Sequence, residues 1–318
     1  MIKKISKLGL GCWGLGGDAY GSIDDDLSKN IIYKAIDSGV NFFDTSPTYG
    51  FGKSEERLGK YLPKNDELII ATKVGMKAHS GTEVPLSFTL KSIEKSIDES
   101  LFRLNIESIP LAQLHSPMID YKILFPDIFE TLELISEKGK VKQWGISIAK
   151  PNHIANLERD WKWASMEFNF SLIDQRILEY KNYYENYDGI LIARTPLNFG
   201  FLAKQSNSEY MVKDPKSHLS KWSKIQIEKW DFAAGEMRKL SEKLGRTLTE
   251  LAIRFTLDTN LVEYSIPGAM NLSELEENIN ASKSLPLSSD EILEIYAVYK
   301  NIEINLNLIT PFKDVIID

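Results

Sequence analysis

The stretch DDLSKNIIYKAIDSGVNFFD, residues 25–44, joins the pattern of a helix to that of a strand. Its first part has apolar residues at helical spacing and acidic residues in the first turn, and Gly39 is placed to end a helix over Asp25–Ser38. The run Val40–Asp44 follows at once and is short, apolar and typical of a buried strand. This stretch therefore predicts one helix–strand unit with a very short connection.

The same alternation of short apolar runs and longer amphipathic stretches continues along the chain. We predict strands at Leu8–Cys12, Val40–Asp44, Glu67–Lys73, Ile109–Leu114, Val141–Ile146, Trp163–Phe168, Ile190–Ala193 and Val262–Ile266. We predict helices near Ser54–Tyr61, Phe88–Leu104, Phe125–Glu137, Asn152–Leu157 and Gln175–Tyr184, and after the capping boxes Thr247–Glu250 and Ser273–Glu276. Strands that alternate with helices pair in parallel, and eight such units favour a closed (β/α)8 barrel, the TIM barrel, over an open sheet.

Length and composition fit one globular domain over residues 1–318. At roughly 150 residues per domain the length would suggest two domains, but α/β barrels run to about 250 residues or more as one unit. No linker or low-complexity tract divides the chain. Two extra helices, near Lys221–Trp230 and Asp290–Lys300, and a C-terminal tail to Asp318 remain outside the eight repeats. We therefore predict a single α/β domain.

The charge balance and the cysteine count argue against several classes of protein. The 38 basic and 45 acidic residues give a net charge of −7, and no basic run suggests a nucleic-acid partner. Cys12 is the only cysteine, which excludes an internal disulfide, and the four histidines are too far apart in sequence for a zinc motif. Glycine interrupts the N-terminal apolar run too early for a signal peptide or a membrane span. We expect a cytoplasmic protein with no metal and no membrane partner, and the sequence indicates no oligomeric state.

Three predicted strands end in polar side chains that could do chemistry. Asp44 ends the second strand, Lys73 the third and His115 the fourth, and Tyr49 lies in the loop just after Asp44. In a parallel barrel the loops at these strand ends form the active site. Each residue alone has an ordinary explanation, such as a loop cap or a solvated side chain. Together they form a plausible proton-transfer site.

The four residue types suggest a division of labour. Tyrosine has a pKa near 10, so it becomes an efficient acid near neutral pH only beside a cation, which Lys73 can supply. Asp44 would keep Lys73 charged, since a buried ammonium without a partner tends to lose its proton. His115 can bond the substrate oxygen. Such a set protonates a carbonyl oxygen while another group delivers a nucleophile to the carbonyl carbon.

At these positions the sequence resembles the aldo-keto reductases. The segment NFFDTSPTYG, residues 41–50, followed by SEERLG, residues 54–59, is similar to the signature of that family. Further matches, in the family's order, are Ala71–Gly75, Ser100–Leu104, Gln113–His115, Gly145–Ser147, Pro196–Leu202, Ile266–Ala269 and Glu277–Asn278. The resemblance covers nearly the whole chain.

The resemblance implies a (β/α)8 barrel that binds NADP(H) or NAD(H) without a Rossmann domain. It implies a catalytic tetrad of Asp44, Tyr49, Lys73 and His115, with Tyr49 as the general acid and the nicotinamide as the hydride donor. The implied reaction reduces an aldehyde or ketone, which could be derived from a sugar, to an alcohol.

The family's pattern also implies a cofactor site. It places Ser147 and Asn169 near the nicotinamide carboxamide, and Arg194 where many members stack an aromatic ring on the nicotinamide. It places the segment Pro196–Leu202, which includes Leu197 and Gly200, along the pyrophosphate. It places the segment Gly268–Asn278, which includes Glu274 and Glu277, around the adenosine.

Four positions depart from the family's pattern. Ile148 and Ser165 stand where many members have Asn and Gln around the nicotinamide. Gly268 and Glu274 stand where NADPH-specific members have Lys and Arg. An acidic side chain repels a 2′-phosphate but can accept hydrogen bonds from ribose hydroxyls. These departures indicate a cofactor preference that is either relaxed or leans towards NAD(H).

Trp13 has two explanations that the sequence leaves open. It follows the first strand, and the corresponding residue in the family lines the substrate pocket, which here would also include Tyr49 and His115. Packing in the barrel rim is the other explanation.

Two other functions remain possible from the residues alone. Lys73 could form a Schiff base with a carbonyl substrate in a barrel lyase, although Asp44 beside it favours a charged amine. The chain could also be a non-catalytic, cofactor-binding regulatory subunit, as some members of the family are.

Overall fold

Eight parallel strands form the centre of the fold in a computed structural model, which describes residues 6–65, 67–78, 83–117, 125–157, 163–203, 217–303 and 314–317. The strands are β1 Leu10–Gly11, β2 Phe42–Asp44, β3 Ile69–Val74, β4 Leu111–His115, β5 Trp144–Ser147, β6 Ser165–Asn169, β7 Ile190–Arg194 and β8 Tyr264–Ile266. Each strand pairs in parallel with the next along the chain.

Contacts between the first and last strands bring the two edges of this sheet together. Leu8 is bridged to Ser265, and Gly11 to Gly268, both in the parallel sense. The backbone N–H of Gly11 donates to the carbonyl of Pro267 at 3.0 Å. These contacts confirm the predicted (β/α)8 barrel.

The barrel strands are covered on both of their faces. All residues of β3 are buried, and Ile69 and Ile70 precede Thr72 and Lys73 in that strand. Continuous burial of this kind is typical of parallel strands with helices packed on the outside of the sheet. The only charged side chain of β3 is therefore buried inside the barrel.

The outer layer consists mainly of α-helices. Their bounds are Asp25–Asp37, Lys53–Tyr61, Leu90–Leu104, Ile128–Glu137, Lys224–Lys243, Leu248–Asp258, Leu272–Lys283 and Ser289–Glu303. The helix Leu248–Asp258 begins at its predicted cap, where the hydroxyl of Thr247 accepts a hydrogen bond from the backbone N–H of Glu250 at 3.1 Å. In the described residues, no helix is long and apolar enough to cross a membrane.

Four helix predictions need correction. The two helices predicted near 152–157 and 175–184 are short 3₁₀ segments, Pro151–Asn156 and Arg176–Tyr183, and Tyr180 interrupts the second with non-helical angles. The helix predicted over 221–230 extends over Lys224–Lys243, with Ser223 as its cap.

The fourth correction concerns the capping box predicted at Ser273. Asn271 is the N-cap instead, and its side-chain oxygen accepts from the backbone N–H of Glu274 at 2.9 Å. Asparagine competes well with serine for this position, so the helix begins two residues earlier than predicted.

A short strand pair outside the barrel was not predicted. Residues 83–86, just before the helix Leu90–Leu104, pair in parallel with 314–317 in the C-terminal tail. The rest of the predicted tail, residues 304–313 and 318, lies outside the described residues, as does the segment 204–216.

Candidate active site

A buried ion pair joins the ends of β2 and β3. The Nζ of Lys73 donates to both carboxylate oxygens of Asp44 at 2.6 Å and to the carbonyl oxygen of Thr45 at 3.2 Å. Lys73 is 1% exposed and Asp44 is 3% exposed. Burial alone would lower the pKa of Lys73, but the nearby carboxylates raise it above its ordinary value. Lys73 is therefore protonated.

Tyr49 and His115 lie beside this pair. The Nζ of Lys73 is 5.4 Å from the centroid of the Tyr49 ring, and the rings of Tyr49 and His115 are 6.5 Å apart at an interplanar angle of 89°. Burial raises the pKa of Tyr49, while Lys73 lowers it. The fold thus brings together all four residues of the predicted tetrad, and Tyr49 retains its proton near neutral pH.

The loop that carries Tyr49 is held by close backbone packing. Gly50 has φ +62°, and a Cβ atom there would lie 2.2 Å from the carbonyl oxygen of Gly16. Only glycine fits this approach and this backbone conformation. The contact places Tyr49 against the loop that carries Trp13.

The SEERLG segment anchors the same two loops. The hydroxyl of Ser54 donates to the carbonyl of Cys12 at 2.8 Å, and the guanidinium of Arg57 donates to the carbonyls of Leu15 and Ile23 at 2.6 and 2.8 Å. These contacts bind the loop after β1 to the helix that follows Tyr49. The residues of the SEERLG segment therefore hold in place the loops that carry Trp13 and Tyr49.

His115 has its own supporting contact. Its Nδ1 lies 3.3 Å from the hydroxyl oxygen of Ser46, which in turn lies 2.9 Å from that of Thr48. A partner at Nδ1 fixes the orientation of the imidazole. The ring is thereby fixed beside Tyr49.

A second buried carboxylate, Glu167 on β6, was missed by the sequence analysis. It is 1% exposed. Its oxygens accept hydrogen bonds from the side-chain amide of Gln113 at 2.8 Å and from the hydroxyl of Ser147 at 3.1 Å. They lie 3.7 Å from the Nζ of Lys73 and 3.9 Å from the Nε of Arg194. The polar residues at alternate positions of β6 were the available signal, because they face the barrel interior.

Ser165, where many members of the family have Gln, serves this inner network. Its hydroxyl donates to the side-chain oxygen of Gln113 at 3.1 Å, which directs the amide N–H of Gln113 towards Glu167. Ser165 is fully buried. Its hydroxyl therefore belongs to the buried hydrogen-bond network inside the barrel.

The predicted nicotinamide-side residues end three successive strands. Ser147 ends β5, Asn169 ends β6 and Arg194 ends β7. The guanidinium of Arg194 donates to the carbonyl of Ile148 at 3.0 Å, and Thr195 donates its hydroxyl proton to the side-chain oxygen of Asn169 at 2.8 Å. The three side chains are thus grouped on one part of the rim.

The loop predicted to follow the pyrophosphate, which contains Pro196, Leu197 and Gly200, has an unusual backbone. Thr195, Asn198 and Phe199 all have positive φ angles, of 54°, 42° and 59°. The side-chain amide nitrogen of Asn198 is buried without a hydrogen-bond partner. Such strained, incompletely bonded loops often mark ligand sites.

The predicted adenosine side lies at the start of the helix Leu272–Lys283. The side-chain amide of Asn278 donates to the carbonyl of Gly268 at 3.0 Å, and the Oε1 of Glu277 is buried without a hydrogen-bond partner. Glu274 accepts from the backbone N–H of Met270 at 2.8 Å and from the side-chain amide of Asn271 at 2.7 Å. The unpaired carboxylate oxygen of Glu277 and the unpaired amide nitrogen of Asn198 are a hydrogen-bond acceptor and a donor that a bound dinucleotide would satisfy.

An aromatic cluster adjoins Tyr49 on the rim. Trp13 stacks on Tyr49 with 5.8 Å between ring centroids and lies 4.6 Å from the ring of His218. Tyr20 and Phe199 also contact the His218 ring. Burial lowers the pKa of His218 to about 3, and its Nε2 has no hydrogen-bond partner. Trp13 is half-buried beside Tyr49, which is compatible with the predicted wall of the substrate pocket. His218 was not predicted to have a role.

Known proteins resemble this chain over most of its length. The model of the Aldo/keto reductase family matches residues 7–300. The chain is 29% identical over 293 residues to the uncharacterized oxidoreductase YqkF of Bacillus subtilis, a match that covers 91% of this chain and 90% of YqkF.

Two solved structures share the fold. The glycerol dehydrogenase AKR11B4 from Gluconobacter oxydans has a TM-score of 0.75 and 27% identity, over 96% of this chain and 94% of that one. The holo form of aldo-keto reductase AKR11C1 from Bacillus halodurans has a TM-score of 0.75 and 25% identity, over 92% of each chain. With its barrel and its family match, the chain belongs to the aldo/keto reductase family and is an NAD(P)H-dependent oxidoreductase that acts on carbonyls.

Proposed function

We propose that the enzyme reduces an aldehyde or ketone to an alcohol with Tyr49 as the proton donor. The observation that carries this proposal is the convergence of Tyr49, His115 and the buried Lys73–Asp44 pair at one rim of the barrel. The proposal treats residues 1–318 as one catalytic domain.

The roles of the residues follow from their contacts. His115 bonds the carbonyl oxygen and places it near the hydroxyl of Tyr49, which gives up its proton to that oxygen. Lys73 stabilises the tyrosinate that remains, because its ammonium faces the ring at 5.4 Å. Asp44 keeps Lys73 charged and in place. When bound, a reduced nicotinamide supplies the hydride for the carbonyl carbon.

The cofactor would be held by three parts of the rim. Ser147, Asn169 and Arg194 would contact the nicotinamide end, and the strained loop with Pro196, Leu197 and Gly200 would follow the pyrophosphate. Glu277, Asn278, Gly268 and Glu274 would surround the adenosine. The buried Oε1 of Glu277 supports this assignment, because an exocyclic amino group could give it the hydrogen bond it lacks.

We propose a preference for NAD(H). No Lys or Arg occurs in residues 267–282, whereas Glu274, Glu276 and Glu277 all lie there. The carboxylate of Glu274 bonds to the helix start, so an acidic group lies on the side of the rim proposed for the adenosine. Because this segment supplies carboxylates and no cation of its own, it repels a second phosphate at the adenosine ribose.

The proposed substrate is a small hydroxylated carbonyl compound, such as one derived from a sugar. The half-buried Trp13 provides an apolar wall, and the Nε2 of the neutral His218 lacks a hydrogen-bond partner that a substrate hydroxyl could provide. A related structure is that of a glycerol dehydrogenase, which is consistent with a polyol-like product.

The two alternatives receive less support. A Schiff-base lyase needs a neutral lysine, whereas Lys73 is held protonated by Asp44. A non-catalytic regulatory subunit has no need for a tetrad that is both intact and assembled.

The test is consumption of NADH and NADPH by the wild-type enzyme with a panel of aldehydes, ketones and keto-sugars. We expect turnover with at least one hydroxylated carbonyl and lower KM values for NADH. Borohydride trapping of substrate on Lys73, or cofactor binding without any turnover across the panel, would favour one of the alternatives instead.

A further inference from the structure

A layer of charged and polar side chains crosses the barrel just inside its rim. Asp44, Lys73, Gln113 and Glu167 are each at most 3% exposed. An apolar cluster fills the interior beneath them, earlier along the strands, and consists of Phe42, Ile69, Ala71, Leu111, Ile192 and Ile266. The charges of the layer are therefore shielded from water on that side, and they depend on one another for compensation.

Glu167 on β6 is the anion at the centre of this layer. Its two oxygens accept hydrogen bonds from the amide of Gln113 at 2.8 Å and from the hydroxyl of Ser147 at 3.1 Å. They also lie 3.7 Å from the Nζ of Lys73 and 3.9 Å from the Nε of Arg194. Burial would raise the pKa of Glu167, but the charges of Lys73 and Arg194 lower it below its ordinary value, so the side chain is ionised.

The two cations of this network have one carboxylate each. Lys73 donates to both oxygens of Asp44 at 2.6 Å. Among the described residues, Glu167 is the only carboxylate that forms an ion pair with Arg194. Two positive charges thus face two negative charges. Removal of either member of the Arg194–Glu167 pair would leave a net charge at this end of the barrel, with a sign that depends on which member is removed.

Arg194 is the member of the network that reaches the rim. Its side chain is 25% exposed, whereas that of Glu167 is 1% exposed. Its guanidinium donates to the carbonyl of Ile148 at 3.0 Å, and its buried Nε has no hydrogen-bond partner among the described residues. Arg194 therefore presents a positive charge at the surface of the site, and Glu167 compensates that charge from beneath.

The two forms of a nicotinamide cofactor differ in the charge of the ring. The oxidised ring is cationic and the reduced ring is neutral, so a nearby charge changes the affinity for the oxidised form much more than that for the reduced form. An arginine without its carboxylate would weaken binding of NAD+. A carboxylate without its arginine would strengthen it.

We propose that Glu167 compensates the charge of Arg194 beneath the nicotinamide site, and that this pair sets the relative affinity of the enzyme for oxidised and reduced cofactor. Glu167 acts through Arg194, so it is a positioning residue and not a catalytic one. The inference rests on the proposed function only for the placement of the nicotinamide end. It does not depend on the substrate or on the proton donor.

Equilibrium binding to the full-length protein, measured by isothermal titration calorimetry, tests the pair. Glu167→Gln keeps the size of the side chain and removes its charge, so the ratio of the Kd for NAD+ to the Kd for NADH should rise about tenfold. Arg194→Met removes the cation and leaves the carboxylate, so the same ratio should fall by a similar factor. The double variant restores neutrality, and its ratio should return to within about threefold of wild type.

A second buried ion pair provides matched controls. Glu55 is fully buried, and its carboxylate lies 2.7 Å from the Nε of Arg103, whose side chain is 17% exposed. This pair joins two helices of the outer layer, Lys53–Tyr61 and Leu90–Leu104. Glu55→Gln and Arg103→Met should leave the ratio of the two Kd values unchanged, even where they lower the free energy of unfolding.

Opposite changes in the two single variants are the result that supports the proposal. A purely structural role for Glu167 would weaken binding of NAD+ and NADH by the same factor, and that result would overturn the proposal, as would changes of the ratio in the same direction. If Glu167→Gln does not fold, Arg194→Met decides alone, because its side chain lies at the rim. An unchanged ratio in that variant would overturn the proposal.

Carbonyl reduction is measured separately. A wild-type enzyme that shows the expected ratios in its variants but reduces no carbonyl compound would contradict the proposed reaction and support the pair. A wild-type protein that binds both forms of the cofactor and reduces carbonyls, with ratios that none of the substitutions changes, would overturn the pair alone. A wild-type protein that binds neither form would overturn both proposals.

Discussion

The ring of Trp13 stacks on the ring of Tyr49, with 5.8 Å between centroids and 27° between planes. The residue that would give the proton and the residue that would flank the substrate therefore form one surface. Tyr49 is positioned by Gly50 packing on Gly16, and Trp13 lies on that same neighbouring loop. Substrate position and proton position are set together.

Replacing the proton donor should separate binding from chemistry. We expect Tyr49→Phe to lower kcat for carbonyl reduction by roughly 10²–10⁴, since that is the usual contribution of a general acid. The Kd for NADH, measured by nicotinamide fluorescence, should stay within about twofold of wild type. Tyr20→Phe is the control, because Tyr20 contacts Trp13 from another side. Equal kcat values for Tyr49→Phe and wild type would contradict the assignment of Tyr49.

Breaking the buried ion pair should destabilise the fold. Lys73→Met leaves Asp44 buried without its cation, so the free energy of unfolding should fall by about 3–5 kcal/mol in urea denaturation at pH 9. The loss should be smaller at pH 5, where the carboxyl groups can take up protons. Lys53→Met, which removes the exposed pair with Glu56, should cost at most about 1 kcal/mol. Similar losses for the two variants would show that Lys73 is not in a buried pair.

Stability should decrease on acidification because of His218. The pKa of His218 is about 3 in the folded protein and about 6.5 when unfolded, so below pH 6.5 the unfolded chain binds a proton that the folded chain does not. The contribution of this residue is present above pH 6.5 and is lost as pH falls towards 3. It should amount to about 2 kcal/mol between pH 7.5 and pH 5.

The variant His218→Phe tests this dependence. It removes the titrating group and keeps an aromatic ring next to Trp13. The stability of the variant should fall less between pH 7.5 and pH 5 than that of the wild type, as measured by chemical denaturation. Parallel pH dependences for the two proteins would rule out His218 as the cause.

Cofactor preference should change with one substitution near the adenosine. At Gly268 a Cβ atom would meet only the carbonyl oxygen of Gly11, at 3.4 Å, so a side chain can be accommodated. We expect Gly268→Lys to lower the Kd for NADPH roughly tenfold, equivalent to about 1.4 kcal/mol, and to leave that for NADH nearly unchanged. Gly268→Ala controls for the added Cβ. The gain should decrease with added salt, and a gain equal for both cofactors would argue against a 2′-phosphate contact.

Sequence reasoning succeeded where a polar residue ends an apolar strand. Asp44, Lys73 and His115 were found because barrel chemistry takes place at strand ends, and the fold brings them together. Sequence reasoning missed Glu167. This residue is the third of the five residues of β6, and in the sequence it resembles any charged residue between apolar neighbours. Its burial depends on which face of β6 points inward, and that is set by pairing with β5 and β7.

The helix errors have a similar cause. Arg176–Tyr183 has helical spacing in sequence, yet packing breaks it at Tyr180. The cap at Asn271 and the predicted cap at Ser273 are both good local solutions, and the connection from β8 selects between them. The roles of Ser147, Asn169 and Arg194 remain predictions, although all three lie at adjoining strand ends.

The seam between β1 and β8 has a consequence for synthesis of the chain. All four tetrad residues belong to the first 115 positions, so they leave the ribosome early. The hydrogen bond from Gly11 to Pro267, however, cannot form until synthesis has passed residue 267. A nascent chain that stops short of this point carries every reactive group and still lacks the enclosure that keeps Lys73 away from water. Activity should therefore emerge in a single late step, and truncation at either end of the barrel should abolish it.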